Sequence, residues 1–309
     1  VGPLEDAALV RPEHGPLLAF TVDFITPVVD DPETFGAVAA ANALSDVYAM
    51  GGEPQVALAI CGFPEGKVSR EILERIFRGG RDKAAEAGCA IAGGHTVLDP
   101  ELKYGLCVLG RIDGERPLAQ TRARPGERLV LTKPLGLGIA AQAIKQQRLG
   151  DADLARVVTL MTTLNRGAKD AALAAGVRAA TDVTGFGLLG HLHHLLLASG
   201  TAARLHADAI PVLDFVRPLA EEGRVPAGSR KNLAYVAPHL RLEPDLAPEE
   251  ALILADAQTS GGLLIAVPPE GESTLLAELE RRGAPARAVV GEVIDGEPGR
   301  MEVVGRLAR

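Results

Sequence analysis

The chain has 309 residues, 47% of them hydrophobic and 23% charged, with 32 Lys plus Arg against 40 Asp plus Glu and a formal net charge of −8. That length and apolar share suit a folded protein of one large or two ordinary domains. The negative balance, with no Trp, three Tyr and seven Phe, argues against nucleic acid as a partner. The greasiest stretches, 56–61 and 195–198, fall far short of the roughly 18–20 residues of a membrane span, so no membrane partner is expected. Cys61, Cys89 and Cys107 form no CxxC pair and stand among aliphatic residues, which fits buried reduced thiols in a cytoplasmic protein. No charged segment followed by an apolar one opens the sequence, so no secretory signal is read.

Strand-like and helix-like runs alternate along the chain, the pattern of a mixed α/β (α+β) fold. Strands are predicted at 17–24, 56–63, 89–92 and 104–112. A helix is predicted over about 32–50, started by Asp31 before Pro32 and stopped by Gly51-Gly52. Another is predicted over 69–87, with Ile72, Leu73, Ile76 and Phe77 at helical spacing and Gly88 as its stop. The polar stretch 113–127, with Pro117 and Pro125, has no clear period. It marks the expected boundary between an N-terminal domain, 1–115, and a C-terminal α/β domain, 126–309. In the second domain strands are predicted at 128–132, 178–181, 203–207, 263–267 and 286–293. Helices are predicted at 137–147, 153–175, 185–198, 215–222, 249–256 and 273–282, with an extended loop at 223–248.

Asp6, Asp23, Asp46 and Asp182 stand at the ends of predicted elements, beside glycines or small residues. Carboxylates drawn together repel, so a convergent set requires a cation; convergence itself is not readable from sequence. Asn42 and Asp46 are four residues apart on one face of the 32–50 helix. Asp46 falls near the C-terminus of that helix, where the dipole disfavours negative charge by roughly 0.3–1 kcal/mol. A bound metal would compensate; a solvated Asp on an exposed turn is the alternative, and Asn42 tilts the balance slightly toward the metal. Asp182 follows a short strand and precedes Thr184-Gly185-Phe186-Gly187 and a helix, a junction where α/β proteins bind ligands. On local sequence alone an N-cap is its favoured role. Asp30 and Asp31 read as turn and cap residues.

Glycines recur in turns at Gly51-Gly52, Gly93-Gly94-His95-Thr96, Gly136-Leu137-Gly138, Gly185-Phe186-Gly187 and Gly261-Gly262. Each can bring backbone N–H groups close to phosphate, and each also reads as a tight turn. Lys133-Pro134-Leu135-Gly136-Leu137-Gly138 follows a strand but lacks the GxxxxGK[ST] spacing, which excludes a Walker P-loop. His191, His193 and His194 read as the polar side of an amphipathic helix built on Leu188, Leu189, Leu192, Leu195 and Leu196 rather than as a metal site, there being no HExxH. Acids and Gly-rich turns without a P-loop point toward a metal-dependent nucleotide enzyme.

Several blocks, taken in order, carry a resemblance. They are Thr21-Val22-Asp23-Phe24 with Thr26-Pro27-Val28-Val29-Asp30-Asp31-Pro32, then Ala40-Ala41-Asn42-Ala43-Leu44-Ser45-Asp46-Val47-Tyr48-Ala49-Met50-Gly51-Gly52 and Ala92-Gly93-Gly94-His95-Thr96. Leu131-Thr132-Lys133-Pro134-Leu135-Gly136, Thr181-Asp182-Val183-Thr184-Gly185-Phe186-Gly187-Leu188-Leu189-Gly190-His191 and Asp256-Ala257-Gln258-Thr259-Ser260-Gly261-Gly262-Leu263-Leu264 follow. Together they resemble the selenophosphate synthetase (selenide, water dikinase) family over essentially the whole chain.

The resemblance implies a two-domain aminoimidazole-ribonucleotide-synthetase-like fold and a homodimer joined through its N-terminal sheets. It implies a reaction in which selenide, ATP and water give selenophosphate, AMP and phosphate with Mg2+. Position by position it implies Asp6, Asp46 and Asp182 as magnesium ligands and Asp23 and Asp46 as ATP-contacting carboxylates. It implies Gly94, His95 and Thr96 as an ATP-contacting loop, with Asn42 and Lys133 near the phosphates. It also implies a catalytic Cys or selenocysteine and a Lys upstream of Val1, which nothing in this sequence matches. Cys61, Cys89 and Cys107 do not take that role, so a truncated chain, lacking that chemistry as it stands, is the expected reading. Glu5 stands where the family usually has a second Asp. Two rivals remain: a related ATP-dependent kinase or synthetase such as thiamine-monophosphate kinase, which the TDVTGFGLLGH block fits less well, and a non-catalytic ATP-binding paralogue.

Overall fold

The computed structural model describes residues 5–114 and 117–308. The chain divides into two compact units: Asp6–Pro117 with Ile144–Leu164 form the N-terminal unit, and the rest of the described chain forms the C-terminal unit. The chain passes from the N-terminal unit to the C-terminal unit after Pro117. Residues 144–164, expected in the C-terminal domain, belong to the N-terminal unit because their helix packs on that unit's first helix.

In the N-terminal unit β1 (Ala8–Val10), β2 (Leu17–Ile25), α1 (Pro32–Ala49), β3 (Glu53–Phe63), α2 (Arg70–Glu86), β4 (Ala90–Leu98) and β5 (Lys103–Ile112) follow in order. The sheet runs β1-β2-β5-β3-β4, antiparallel except where β3 meets β4. α1 starts as the sequence predicts: Asp31 accepts from Thr34 N–H at 2.8 Å and Pro32 occupies the first turn. Gly51, at φ 76°, ends it. Glycines let α1 and α2 approach closely. A Cβ on Gly36 would stand 1.9 Å from the Ile76 carbonyl oxygen, and one on Gly79 would stand 1.8 Å from that of Glu33.

Both helices cover one face of the sheet, where Ala19, Leu106 and Val108 are fully buried. Strand alternation turns Phe20, Val22 and Phe24 to the other face, 47%, 56% and 48% exposed. Val22, Cys107 and Leu58 form one row there across β2, β5 and β3. The second face is therefore apolar and open.

The chain continues through β6 (Arg128–Leu131) and α3 (Leu137–Lys145) to α4 (Asp151–Thr162), the helix that belongs to the N-terminal unit. The C-terminal unit then has α5 (Arg166–Ala174), β7 (Ala179–Asp182), α6 (Gly187–Ser199), β8 (Ala202–His206), α7 (Val216–Glu221), α8 (Ala227–Val236), β9 (Leu240–Leu242), α9 (Pro248–Leu254), β10 (Leu263–Val267), α10 (Pro269–Arg281), β11 (Ala288–Ile294) and β12 (Met301–Val304). Its seven-stranded sheet has the order β7-β10-β6-β11-β8-β12-β9. β10 is buried along its whole length, as expected for a strand with neighbours on both edges and cover on both faces.

Two predictions fail here. The helix predicted over 153–175 is two helices. The Thr162 and Thr163 hydroxyls donate back to the Val158 and Thr159 carbonyls at 2.8 and 2.7 Å, and Asn165 turns its amide to the Gly261 carbonyl at 2.9 Å. The loop predicted over 223–248 contains α8 and β9, the latter paired with the distant β12. All three cysteines are free thiols. Among the described residues no helix is long and apolar enough to cross a membrane.

Candidate functional site

In the N-terminal unit two pairs of polar side chains link β2 to α1. Asn42 Nδ2 donates to Asp23 at 2.5 Å, and Thr21 Oγ1 donates to Asp46 at 2.5 Å. Burial raises the Asp23 carboxyl above the ordinary carboxylate range, opposed by the bonds it accepts from the Asn42 amide and the Phe24 N–H. The sequence puts Asn42 and Asp46 on one helix face, and the structure agrees, but each bonds a strand partner. Thr21 is a residue that sequence reasoning missed. Asp6 is half-buried just ahead of β1, the strand next to β2.

Gly94, His95 and Thr96 lie on the exposed edge strand β4. Gly94 has no room for a side chain, since a Cβ would stand 2.2 Å from the Ala59 carbonyl oxygen. These residues line a cavity of about 610 Å³ between α2 and the sheet, with Phe77, Arg78, Arg81 and Tyr104 on its other walls. That volume is within the range of small-molecule sites, and two guanidiniums beside aromatic rings suit a flat anionic ligand. The α2 contribution was legible only as an amphipathic face, with nothing to separate Arg78 and Arg81 from other surface charges.

In the C-terminal unit Asp182 ends β7 and is 1% exposed. It is not the N-cap that local sequence favours. Phe186 occupies that position in α6, with no side-chain capping bond. A buried carboxylate is costly unless it serves a ligand or a bonded network. The turn after it is held residue by residue. Val183 N–H donates to the Gly262 carbonyl at 2.8 Å, Thr184 N–H to His191 Nε2 at 3.2 Å, and Asn232 Nδ2 to the Gly185 carbonyl at 2.9 Å. Burial, with the His194 charge adding to it, pushes the His191 imidazole down to about 3, so it is neutral and able to accept.

Lys133 is 1% exposed, and its Nζ donates to the Ser260 carbonyl at 2.7 Å. Ser260 has a left-handed φ of 51°, a strained position for a residue with a side chain. The loop bearing it abuts Val183 so tightly that a Cβ on Gly261 would stand 2.0 Å from the Val183 carbonyl oxygen. Beside this loop Asp256 accepts from Gly138 N–H and Ile139 N–H at 3.0 and 3.1 Å and from the Ser229 hydroxyl at 2.8 Å. Asp256 thereby caps α3, a role that sequence reasoning missed.

The AIR synthase related protein N-terminal domain family matches residues 4–112, and the AIR synthase related protein C-terminal domain family matches residues 124–304. The selenide, water dikinase of Myxococcus xanthus is 46% identical over 304 residues, covering 97% of this chain and 85% of that protein. That of Nitratidesulfovibrio vulgaris is 47% identical over 306 residues, covering 98% and 86%. Among solved structures, a Thermus thermophilus protein superposes with a TM-score of 0.74 at 22% identity, covering 98% of this chain and 90% of that one. The hydrogenase maturation protein HypE in complex with ATP superposes at 0.73 and 23%, covering 97% and 86%. The thiamine monophosphate kinase of Aquifex aeolicus superposes at 0.70 and 17%, covering 98% and 92%. These likenesses establish the two-domain α/β fold. At 46–47% identity over nearly its whole length, the chain belongs to the selenide, water dikinase family.

Proposed function

We propose that this protein makes selenophosphate from selenide, ATP and water, releasing AMP and phosphate. The observation that carries the reading is the pair of carboxylates, Asp23 and Asp46, held between β2 and α1 by Asn42 and Thr21, in a chain so similar to selenide, water dikinases. Asp6, Asp46 and Asp182 offer carboxylate oxygens, the donors that a hard divalent ion takes, and the burial of Asp182 at the end of β7, with a His191 ring nitrogen close by, supports that fit. Magnesium bound to such oxygens would neutralise the charge that develops on the phosphates during transfer.

Asp23, backed by Asn42, and the Gly94-His95-Thr96 strand beside the cavity bind the nucleotide. Lys133, expected near the phosphates, supports the site through the Ser260 carbonyl. Selenide attacks the terminal phosphorus, and the selenium–phosphorus bond forms as the bridging phosphorus–oxygen bond breaks, leaving ADP. Water then attacks the outer phosphorus of ADP, releasing phosphate and AMP. A second copy of the chain covers the open apolar face of the N-terminal sheet, giving a homodimer, and the free thiols suit the cytoplasm.

The test is nucleotide chromatography of reactions of the full-length protein with ATP, magnesium and selenide. AMP formation that depends on selenide is expected. Turnover that stops at ADP overturns the dikinase reading in favour of an ordinary kinase.

A further inference from the structure

His191 sits one turn inside α6 and points back at the loop that leads from Asp182 into that helix. Its Nε2 lies 3.2 Å from both the N–H and the hydroxyl oxygen of Thr184. With donors converging on Nε2, the ring proton belongs on Nδ1. A ligand atom of the same imidazole lies within 4.8 Å of an Asp182 carboxylate oxygen. The Thr184 carbonyl accepts from Gly187 N–H and Gln258 N–H, each at 2.9 Å. Every peptide from Val183 to Gly185 is thus engaged by a bond, and the imidazole is the one side-chain acceptor for their N–H groups among the bonds described. α6 has no capping side chain at Phe186, so His191 does from inside the helix what an N-cap does from outside: it satisfies a half-buried donor of the entering chain. The Phe186 ring, 5.7 Å from the imidazole, packs over it.

We infer that His191 is a positioning residue for Asp182: by accepting from Thr184 N–H it fixes the turn, and through it the direction of the Asp182 carboxylate. This rests on the reading that Asp182 presents its carboxylate to magnesium. A ligand aimed by the groups behind it binds metal more tightly because less freedom is lost on binding, and loss of such a backing group typically costs 10–100-fold in affinity. The histidine acts on Asp182 through the backbone of residues 183 and 184, and the carboxylate does the binding.

The experiment uses the full chain without nucleotide and reads two quantities, calorimetric magnesium affinity and hydrogen exchange of the 183–187 amides. His191→Phe keeps an aromatic ring and removes the acceptor. We expect it to weaken magnesium binding by about 10-fold or more and to expose the Thr184 amide to exchange. His191→Gln, whose Oε1 reaches the place of Nε2, should recover affinity to within about three-fold and restore protection. His191→Asn, whose oxygen falls at the place of Nδ1, should not; it supplies the same contrast should the Phe variant fail to fold. Wild-type affinity and protection in the Phe or Asn variant would overturn the proposal. A Gln variant that keeps the amide protected yet binds as weakly as the Phe variant would also overturn it, in favour of direct ligation. If the wild type binds no magnesium, the reading of Asp182 falls instead, and exchange at Thr184 still shows whether the imidazole holds the turn.

Discussion

Thr21 of β2 donates to Asp46 of α1 at 2.5 Å, and the next inward-facing residue of the strand, Asp23, accepts from the residue one helical turn earlier, Asn42, at 2.5 Å. Two strand residues advance about 6.6 Å and four helix residues about 6 Å, so the two bonds fit as adjacent rungs between a strand and a helix running in opposite senses. Each acid thereby accepts from a neutral side-chain donor. Such a donor stabilises the carboxylate without competing for its charge, which is the condition for a carboxylate that must also serve a metal or a nucleotide.

Replacing Asn42 by Ala should therefore act on Asp23 in a predictable direction. Burial already raises its carboxyl, and the Asn42 amide is the leading opposing cause. Without the amide the carboxyl rises further, and Asp23 is protonated at a higher pH. Calorimetry of magnesium–ATP binding between pH 5 and 8 should show the acid limb moved upward and affinity at neutral pH reduced by roughly 10-fold, the worth of one charge-assisted bond. An unmoved limb would remove Asp23 from the nucleotide site.

The open face of the N-terminal sheet yields a second expectation. Val22, Cys107 and Leu58 form a row at its middle, and Phe20 and Phe24 flank Val22 on the same strand face. A charge at Val22 has to be desolvated when a second copy covers this face, at a cost of several kcal/mol. In light scattering, wild type is expected as a dimer and Val22→Asp as a monomer with unchanged circular dichroism. A wild-type monomer at micromolar concentration would remove the homodimer from the proposal.

The packing of α1 on α2 gives a third. Gly79 faces backbone, with the Glu33 carbonyl oxygen 1.8 Å from where its Cβ would be, whereas Gly80 faces the Tyr104 hydroxyl at 2.1 Å. Backbone cannot swing aside, so Gly79→Ala should cost at least roughly 2–3 kcal/mol in urea unfolding. Tyr104 is fully buried, and among the described residues its hydroxyl has no hydrogen-bond partner. Tyr104→Phe should therefore be neutral or stabilising by up to about 1 kcal/mol, and it should relieve part of the Gly80→Ala penalty, because a ring carbon still stands 2.7 Å away. A Phe variant destabilised by more than about 1 kcal/mol would mean that the hydroxyl is bonded.

These particulars show where the sequence was informative. Local rules located α1 and its Asp31 cap and placed Asn42 and Asp46 on one face, because capping and helical period are written in neighbouring residues. They could not reveal that Thr21 meets Asp46 or that His191 accepts from Thr184. A helix pattern identifies the polar face and says nothing about which distant or preceding backbone group that face meets. The break at Thr163–Asn165 and the strand at Met301–Val304 escaped for the same reason: Asn165 answers to Gly261, and β12 is a strand only because β8 and β9 flank it. Lys133 is a further case, since nothing in its own neighbourhood of the sequence reveals that its ammonium meets the Ser260 carbonyl.

Asp256 sets a pH dependence whose sign follows from its surroundings. Burial pushes its carboxyl up to about 6, against the bonds from Ser229, Ile139, Gln258 and Gly138, which favour the anion. In the unfolded chain the same group titrates near its ordinary value of 3.8. Between those values the folded state holds the extra proton. The contribution of Asp256 to stability is therefore fully present below about pH 4 and is lost as pH rises through about 6, at a slope of about 1.4 kcal/mol per pH unit. Asn at this position cannot titrate, though one of its N–H groups would face the donors of α3, so Asp256→Asn should be less stable throughout. The decisive measurement is the difference between wild type and variant in urea unfolding at several pH values. The wild-type advantage should shrink by about 2–3 kcal/mol from pH 4 to pH 7. A constant advantage would mean that the four donors hold Asp256 as an anion across the range and that burial does not raise it.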